Sequence, residues 1–69
     1  MPYVNIIITR EHGRATAEQK ERIIAGVTQL LFEVLGRGEH TTVVTIEELD
    51  TDNYGIGGET ITKRRLRGE

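Results

Sequence analysis

The sequence contains no cysteine, so no disulfide can stabilise the folded chain. Only 36% of its 69 residues are hydrophobic, and a domain of this size buries only roughly 60% of its unfolded surface. A core in a chain below about 70–80 residues usually needs a supplement, such as a bound metal or self-association. The two histidines have no ligand-like neighbours. We therefore expect no metal, and a single domain over residues 1–69 that self-associates.

Several other features are missing. The formal net charge is -2, so a chain-wide basic field for nucleic acid is absent. No apolar run approaches the roughly 18 residues needed to cross a membrane. The N-terminus lacks the charged start, apolar stretch and cleavage site of a signal peptide. We expect a cytoplasmic protein without nucleic-acid or membrane partners.

The remaining pattern predicts two strands joined by a helix. Residues 3–9 are rich in β-branched and aromatic types, as expected for a strand, and residues 41–49 form a second candidate strand. Between them, Thr16 and Gln19 have the spacing of a capping box, which predicts the start of a helix. Gly36 and Gly38 are expected to end it. The helix carries one apolar stripe at helical spacing: Ile23, Ile24, Val27, Leu30, Leu31, Val34 and Leu35.

The C-terminal third is rich in turn residues. Residues 50–53 have turn chemistry, and the glycine-rich residues 54–59 suit a short hairpin or a bulged edge. Residues 63–69 are expected to form a basic tail that is solvated or contacts acidic residues of another subunit. The predicted fold is α+β, a β-α-β unit followed by a short hairpin. The helical crossover favours parallel strands, and the open sheet edges favour pairing with another subunit.

Pro2 is the only proline and stands directly between Met1 and the first strand. Proline is tolerated at a strand start, where its missing N–H costs little, so the position alone requires no chemistry. If Met1 is removed, however, Pro2 carries a secondary amine on a rigid strand. An apolar environment would lower the pKa of this amine by disfavouring its charged form. A neutral amine at pH 7 is a competent general base.

Three segments in order carry a resemblance to a known family. Pro2 follows Met1, residues 17–20 (Ala-Glu-Gln-Lys) open the helix, and residues 54–59 (Tyr-Gly-Ile-Gly-Gly-Glu) precede a Lys-Arg-Arg end. Each motif alone is weak, but their order, spacing and total length over residues 2–65 resemble the 4-oxalocrotonate tautomerase family.

The resemblance implies a cofactor-independent isomerase that ketonises a small dienol carrying a carboxylate, such as 2-hydroxymuconate. It implies Pro2 as the general acid/base, and no metal. The substrate-binding loop arginine of the family corresponds to Arg14, which follows Gly13, and its aromatic wall corresponds to Tyr54. The resemblance also implies dimers that assemble into a hexamer, as a trimer of dimers.

Val43 departs from the family pattern. It occupies the position of a second arginine that, in the family, is contributed across a subunit boundary. A charge-assisted contact is worth about 1.5–3 kcal/mol, so its loss should cost roughly ten- to a hundredfold unless replaced. Arg10 is the best substitute within the chain. The basic tail of a neighbouring subunit, or a different chain in a mixed oligomer, are the alternatives.

Two other functions remain open. The same scaffold could dehalogenate, hydrate or decarboxylate a small unsaturated acid. The related dehalogenases carry an acidic residue two places after the aromatic, where this chain has Ile56, which counts against dehalogenation. The chain could also be a non-catalytic subunit of a mixed oligomer, which the substitution at Val43 would permit.

Overall fold

The computed structural model describes residues 1–11 and 13–68; His12 and Glu69 lie outside the described residues. The chain divides into two units. The first comprises Met1–Ile6 and Ala15–Glu47, and the second comprises Ile7–Arg14 and Glu48–Glu69. The elements follow the order predicted from the sequence, with one addition at the C-terminus.

The first strand, β1, spans Tyr3–Thr9, as predicted. Its side chains alternate between two environments, because successive residues of a strand point to opposite faces. Tyr3, Asn5 and Ile7 are exposed, whereas Val4 and Ile6 are half-buried. Apolar side chains therefore stand on both faces of a strand that pairs with only one other strand among the described residues.

The long helix, α1, spans Ala17–Leu35 and begins with the predicted capping box. The Gln19 backbone N–H donates to Thr16 Oγ1 at 3.0 Å, and the Thr16 N–H donates to Gln19 Oε1 at 2.9 Å. These bonds satisfy backbone donors that a helix start otherwise leaves unpaired. The helix ends at Gly36, whose left-handed conformation (φ 72°) lets its N–H donate to the Phe32 carbonyl at 2.8 Å.

The apolar stripe of α1 is only partly covered. Ile23, Val27 and Leu31 are half-buried at helical spacing. Four other apolar residues of the stripe are exposed to solvent, with Ile24 at 40%, Leu30 at 59%, Val34 at 71% and Leu35 at 47%. The stripe is thus wider than the surface that the single chain covers.

The second strand, β2, spans Val43–Leu49 and pairs with β1 in a two-stranded sheet. The Val43 N–H donates to the Pro2 carbonyl at 2.9 Å, and Thr45 Oγ1 donates to Asn5 Oδ1 at 2.6 Å. From the first contact to the second, the residue number rises along both strands. The strands therefore run parallel, as the helical crossover predicted. In this register Pro2 stands beside Thr42 and Asn5 beside Thr45.

The C-terminal segment contains the predicted hairpin and a helix that the sequence analysis did not predict. Strands β3 (Gly55–Ile56) and β4 (Glu59–Thr60) pair antiparallel. A short helix, α2, follows over Ile61–Leu66. The basic residues expected in a tail therefore lie largely in a helix. Beyond it, Arg67 forms an ion pair of 2.5 Å with Glu59 of the same chain.

Little of the molecule is buried. Among the described residues only Ile61, 9% exposed, belongs to the buried class, and no side chain is fully enclosed. Tyr3 is 64% exposed and Ile7 55%. So much exposed apolar surface is unusual for a monomeric protein. It is typical of a surface that binds another protein. In the described part of the chain, no helix is both long enough and apolar enough to cross a membrane.

Candidate active site

Pro2 stands where the first strand begins, and the sheet holds it through its carbonyl oxygen. This oxygen accepts the Val43 N–H at 2.9 Å, while the proline nitrogen, having no hydrogen, takes no part in the ladder. The residue is half-buried, and Met1 before it is 84% exposed. The sheet thus fixes the backbone on the carbonyl side of the residue, and the nitrogen, which here forms the peptide bond to Met1, makes no hydrogen bond to the sheet.

The loop between α1 and β2 closes tightly beside Pro2. The Gly38 carbonyl accepts the Thr41 N–H at 3.2 Å, the Thr42 N–H at 3.0 Å and Thr42 Oγ1 at 2.6 Å. Gly38 has a left-handed backbone, with φ 88°. The sequence pattern predicts only a helix end at Gly38 and indicates no role for Thr42.

Val43 is brought next to Pro2 by the same ladder bond. The valine is half-buried and is the first residue of β2. The ladder requires only the backbone N–H of this residue, which any residue except proline could supply. Its side chain can neither donate a hydrogen bond nor offset a negative charge.

Arg10, in the second unit, continues the strand pairing beyond β1. Its N–H donates to the Leu49 carbonyl at 2.9 Å, and its Nη1 lies 3.8 Å from Asp50 Oδ2. Its Nε is buried, and nothing among the described residues accepts a hydrogen bond from it. A buried donor without a partner costs free energy. The Arg10 side chain is nevertheless 28% exposed, and the contact of its Nη1 with Asp50 is long for a hydrogen bond.

Arg14 lies in the loop after β1 and is exposed. No hydrogen bond or ion pair joins its side chain to another residue in the described part of the chain. Its five guanidinium donors, arranged to fit a carboxylate, are free of partners there. Arg10 and Arg14 are thus both incompletely paired, although no direct contact joins them to each other.

Tyr54 is half-buried immediately before the hairpin, and its carbonyl accepts the Ile61 N–H at 3.0 Å. It lines a shallow depression of about 370 Å³ together with Asp52, Asn53, Gly55, Gly58, Glu59 and Thr60. Gly55 is required here, because a Cβ at this position would lie 2.2 Å from the Glu59 carbonyl oxygen.

A network of hydroxyl groups fastens α2 to the turn that precedes Tyr54. The Thr51 and Thr62 hydroxyls lie 2.6 Å apart, and Thr62 Oγ1 also donates to Asp52 Oδ1. The Thr62 N–H donates to the Thr51 carbonyl at 3.2 Å, and Thr60 caps the helix by accepting the Lys63 N–H at 3.2 Å. A threonine before an apolar residue is a recognisable helix start, and it could have revealed α2 in the sequence.

The described residues contain no group of three or more His, Cys, Asp or Glu side chains arranged to hold a metal ion. The candidate residues are therefore one proline, two arginines and one tyrosine. The two arginines carry positive charge, the tyrosine carries an aromatic ring, and the proline nitrogen would be basic only after removal of Met1.

Comparison with known proteins identifies related chains. The family model described as "Tautomerase enzyme" matches residues 2–64. A probable tautomerase, K2, from Dickeya dadantii is 60% identical over 65 residues, which covers 94% of each chain. A 2-hydroxymuconate tautomerase from Bacillus subtilis is 37% identical over 62 residues, covering 90% of this chain and 95% of the relative. The crystal structure of DmpI from Helicobacter pylori superposes with a TM-score of 0.78 at 41% identity, covering 99% of this chain and 98% of the other.

The hydroxyl network yields a prediction about the segment that carries Tyr54. Thr62→Val keeps the side-chain shape but leaves the Thr51 hydroxyl and the Asp52 carboxylate without this partner. We expect the free energy of unfolding to fall by about 1–3 kcal/mol. Thr62→Ser, which keeps the hydroxyl, is the control and should lose less. Urea unfolding at one fixed protein concentration measures both, and equal losses would contradict a role for the hydroxyl.

Proposed function

The chain belongs to the tautomerase family, and the relatives named above as tautomerases are isomerases. We propose that it interconverts the enol and keto forms of a small carboxylate with Pro2 as general acid/base. The fold class and the family predicted from the sequence are both confirmed. The observation that carries the proposal is local to Pro2. The sheet uses its carbonyl and needs nothing from its nitrogen, so removal of Met1 would expose a secondary amine without breaking the ladder, at the only proline of a chain that matches the family from residue 2 onward.

The proposed reaction moves one proton and needs no cofactor. Once Met1 has been removed, the lone pair of the Pro2 nitrogen takes the hydroxyl proton of a dienol. The C–O bond becomes a carbonyl, the electrons of the conjugated double bonds shift, and the far carbon takes the proton back from the Pro2 ammonium. The amine ends as it began, neutral and ready for another turnover, and the half-buried position of Pro2 favours this uncharged form.

The proposed substrate is a 2-hydroxydienoate of the 2-hydroxymuconate type. The Bacillus subtilis relative bears the name of a tautomerase for that compound. In the proposal, Arg14 and Arg10 bind the substrate carboxylate, and Tyr54 forms an apolar wall. Two observations support these roles: the Arg10 side chain is partly exposed with only a 3.8 Å contact to Asp50, and the exposed guanidinium of Arg14 has no partner among the described residues. Arg10 thereby compensates for the charge that Val43 does not supply.

The proposed assembly is a homo-oligomer formed through the open sheet edges, a hexamer built as a trimer of dimers. Both strands of the two-stranded sheet have an open edge, and exposed apolar side chains occupy the sheet and the helix. Burial of these groups between copies would supply the stability that the single chain lacks.

The first prediction from the proposed function concerns the base. Pro2→Ala should lower kcat for ketonisation of 2-hydroxymuconate or phenylenolpyruvate by roughly 10²–10⁴-fold, the usual contribution of a general acid/base. The ultraviolet absorbance of the enol measures the rate. Intact-mass measurement must show that Met1 is absent from both proteins. Equal rates above buffer would exclude the proline mechanism.

Halide release from a 3-haloacrylate, measured in parallel, should be absent, since Ile56 supplies no acid to activate water.

The second prediction concerns the arginines. Arg10→Ala and Arg14→Ala should each lower kcat/KM for the same substrate roughly ten- to a hundredfold, as the loss of one charge-assisted contact implies. Arg37→Ala, which removes an exposed arginine from the loop after α1, is the control and should change kcat/KM little. If the Arg10 variant matches the Arg37 variant, another group replaces the charge missing at Val43.

The third prediction concerns assembly. Native mass spectrometry of the purified chain should show six copies, and replacement of exposed apolar residues by glutamate should dissociate them. Leu30→Glu and Val34→Glu test the helix, and Glu21→Lys, on an exposed polar position of the same helix, is the control. A chain that remains monomeric at micromolar concentration would contradict self-assembly and would direct attention to a mixed oligomer.

A further inference from the structure

Gly38 lies against the ring of Pro2 more closely than a side chain would permit. An ideal Cβ built on Gly38 would stand 2.9 Å from Pro2 Cδ and 3.0 Å from Pro2 Cγ. It would also stand 2.8 Å from Thr42 Oγ1. Non-bonded carbon atoms prefer separations of about 3.5–4.0 Å, so an alanine here would force a movement.

The surrounding hydrogen bonds restrict which part can move. The Gly38 carbonyl is held by the backbone N–H groups of Thr41 and Thr42 and by the Thr42 hydroxyl. On the other side, the Pro2 carbonyl is held by the Val43 N–H at 2.9 Å. The proline ring is therefore bounded by the loop on one side and fixed to the ladder on the other.

The atoms in contact are the ones that matter for the chemistry. Cδ of proline is bonded directly to the ring nitrogen, so a displacement of Cδ displaces the nitrogen and turns its lone pair. Small errors in the placement of a reacting group are costly, since a shift of about 1 Å can reduce a rate roughly 10²-fold. The close approach of Gly38 thus determines where the amine points.

We infer that Gly38, with Thr42 bonded to its carbonyl, positions the Pro2 amine for proton transfer. This inference rests on the proposed function, because it assigns the loop a part in the chemistry of Pro2. Neither residue touches the substrate in this account. They act through the ring, as a backbone surface that only glycine provides and a hydroxyl that keeps this surface in place.

The chain supplies a matched control. Gly36 and Gly38 both have left-handed backbones, with φ 72° and 88°, so alanine is strained by its backbone conformation at either position. They differ in their surroundings, because a Cβ at Gly36 meets nothing within 4 Å. Gly36→Ala therefore reports the backbone penalty alone, and Gly38→Ala reports this penalty together with the collision against Pro2.

The kinetic test compares these two variants. We expect Gly38→Ala to lower kcat for ketonisation roughly 10- to 100-fold more than Gly36→Ala, with KM less affected, and to shift the pH–rate profile. Equal kcat values in two folded variants would overturn the inference.

Thr42→Val is the variant to measure if Gly38→Ala does not fold. It should lower kcat and shift the pH–rate profile, with Thr42→Ser restoring both, and equal behaviour of the valine and serine variants would also overturn the inference.

A spectroscopic test separates this inference from the proposed function. Because the chain has a single proline, labelling with ¹³C,¹⁵N-proline gives one spin system that belongs to Pro2. Gly38→Ala should move the Cγ, Cδ and nitrogen resonances of this proline, whereas Gly36→Ala should leave them in place. Unchanged resonances in Gly38→Ala would overturn the inference whatever the activity shows. Moved resonances together with a fully active Pro2→Ala would uphold the contact and refute the proline mechanism.

Discussion

The hydrogen bond from the Val43 N–H to the Pro2 carbonyl connects the fold to the chemistry. It opens the ladder of the parallel strands β1 and β2, and it places Pro2 beside the loop that follows α1. A proline is tolerated directly before β1 because the ladder uses only its carbonyl oxygen. The same residue can therefore end the sheet and carry an uncommitted nitrogen.

Within the single chain, very few of the described residues are buried. Only Ile61 is buried among the described residues, and the apolar row formed by Leu30 and Val34 is exposed. Apolar surface of this kind contributes to stability only when something covers it. A second copy would cover it and would also remove the open sheet edges. Stability and site construction would then both depend on assembly.

The sequence was most informative where structure is determined by local spacing. The strand over Tyr3–Thr9, the capping box of Thr16 and Gln19, and the hairpin near Tyr54 all follow from short-range patterns, and the structure contains them. The helix α2 was missed because its basic residues were read as a tail, although Thr60 marks its start. The approach of Gly38 to Pro2 was beyond prediction from spacing, because it joins residues brought together only by the parallel pairing.

The roles of the site residues depend on interactions that the sequence pattern cannot supply by itself. A guanidinium can be assigned to a carboxylate only when its other partners are known. Asp50 lies 3.8 Å from Arg10, too far for a strong hydrogen bond, and the buried Nε of Arg10 has no partner among the described residues. This incomplete pairing, which no motif records, is the structural argument for Arg10.

Position 43 shows why a fold can persist while its charge pattern changes. The ladder needs the backbone N–H of this residue, whereas the arginine expected here from the family resemblance would act through its side chain. Replacement by valine keeps the first and removes the second, so the placement of Pro2 is preserved and only the electrostatic contribution has to be found elsewhere. A cation need not stand at one backbone position to act on a carboxylate, because the guanidinium group ends a long side chain and binds through several donors. In the proposed mechanism the position of the base is therefore constrained by the sheet and by Gly38, whereas the groups proposed to bind the anion can stand on different loops.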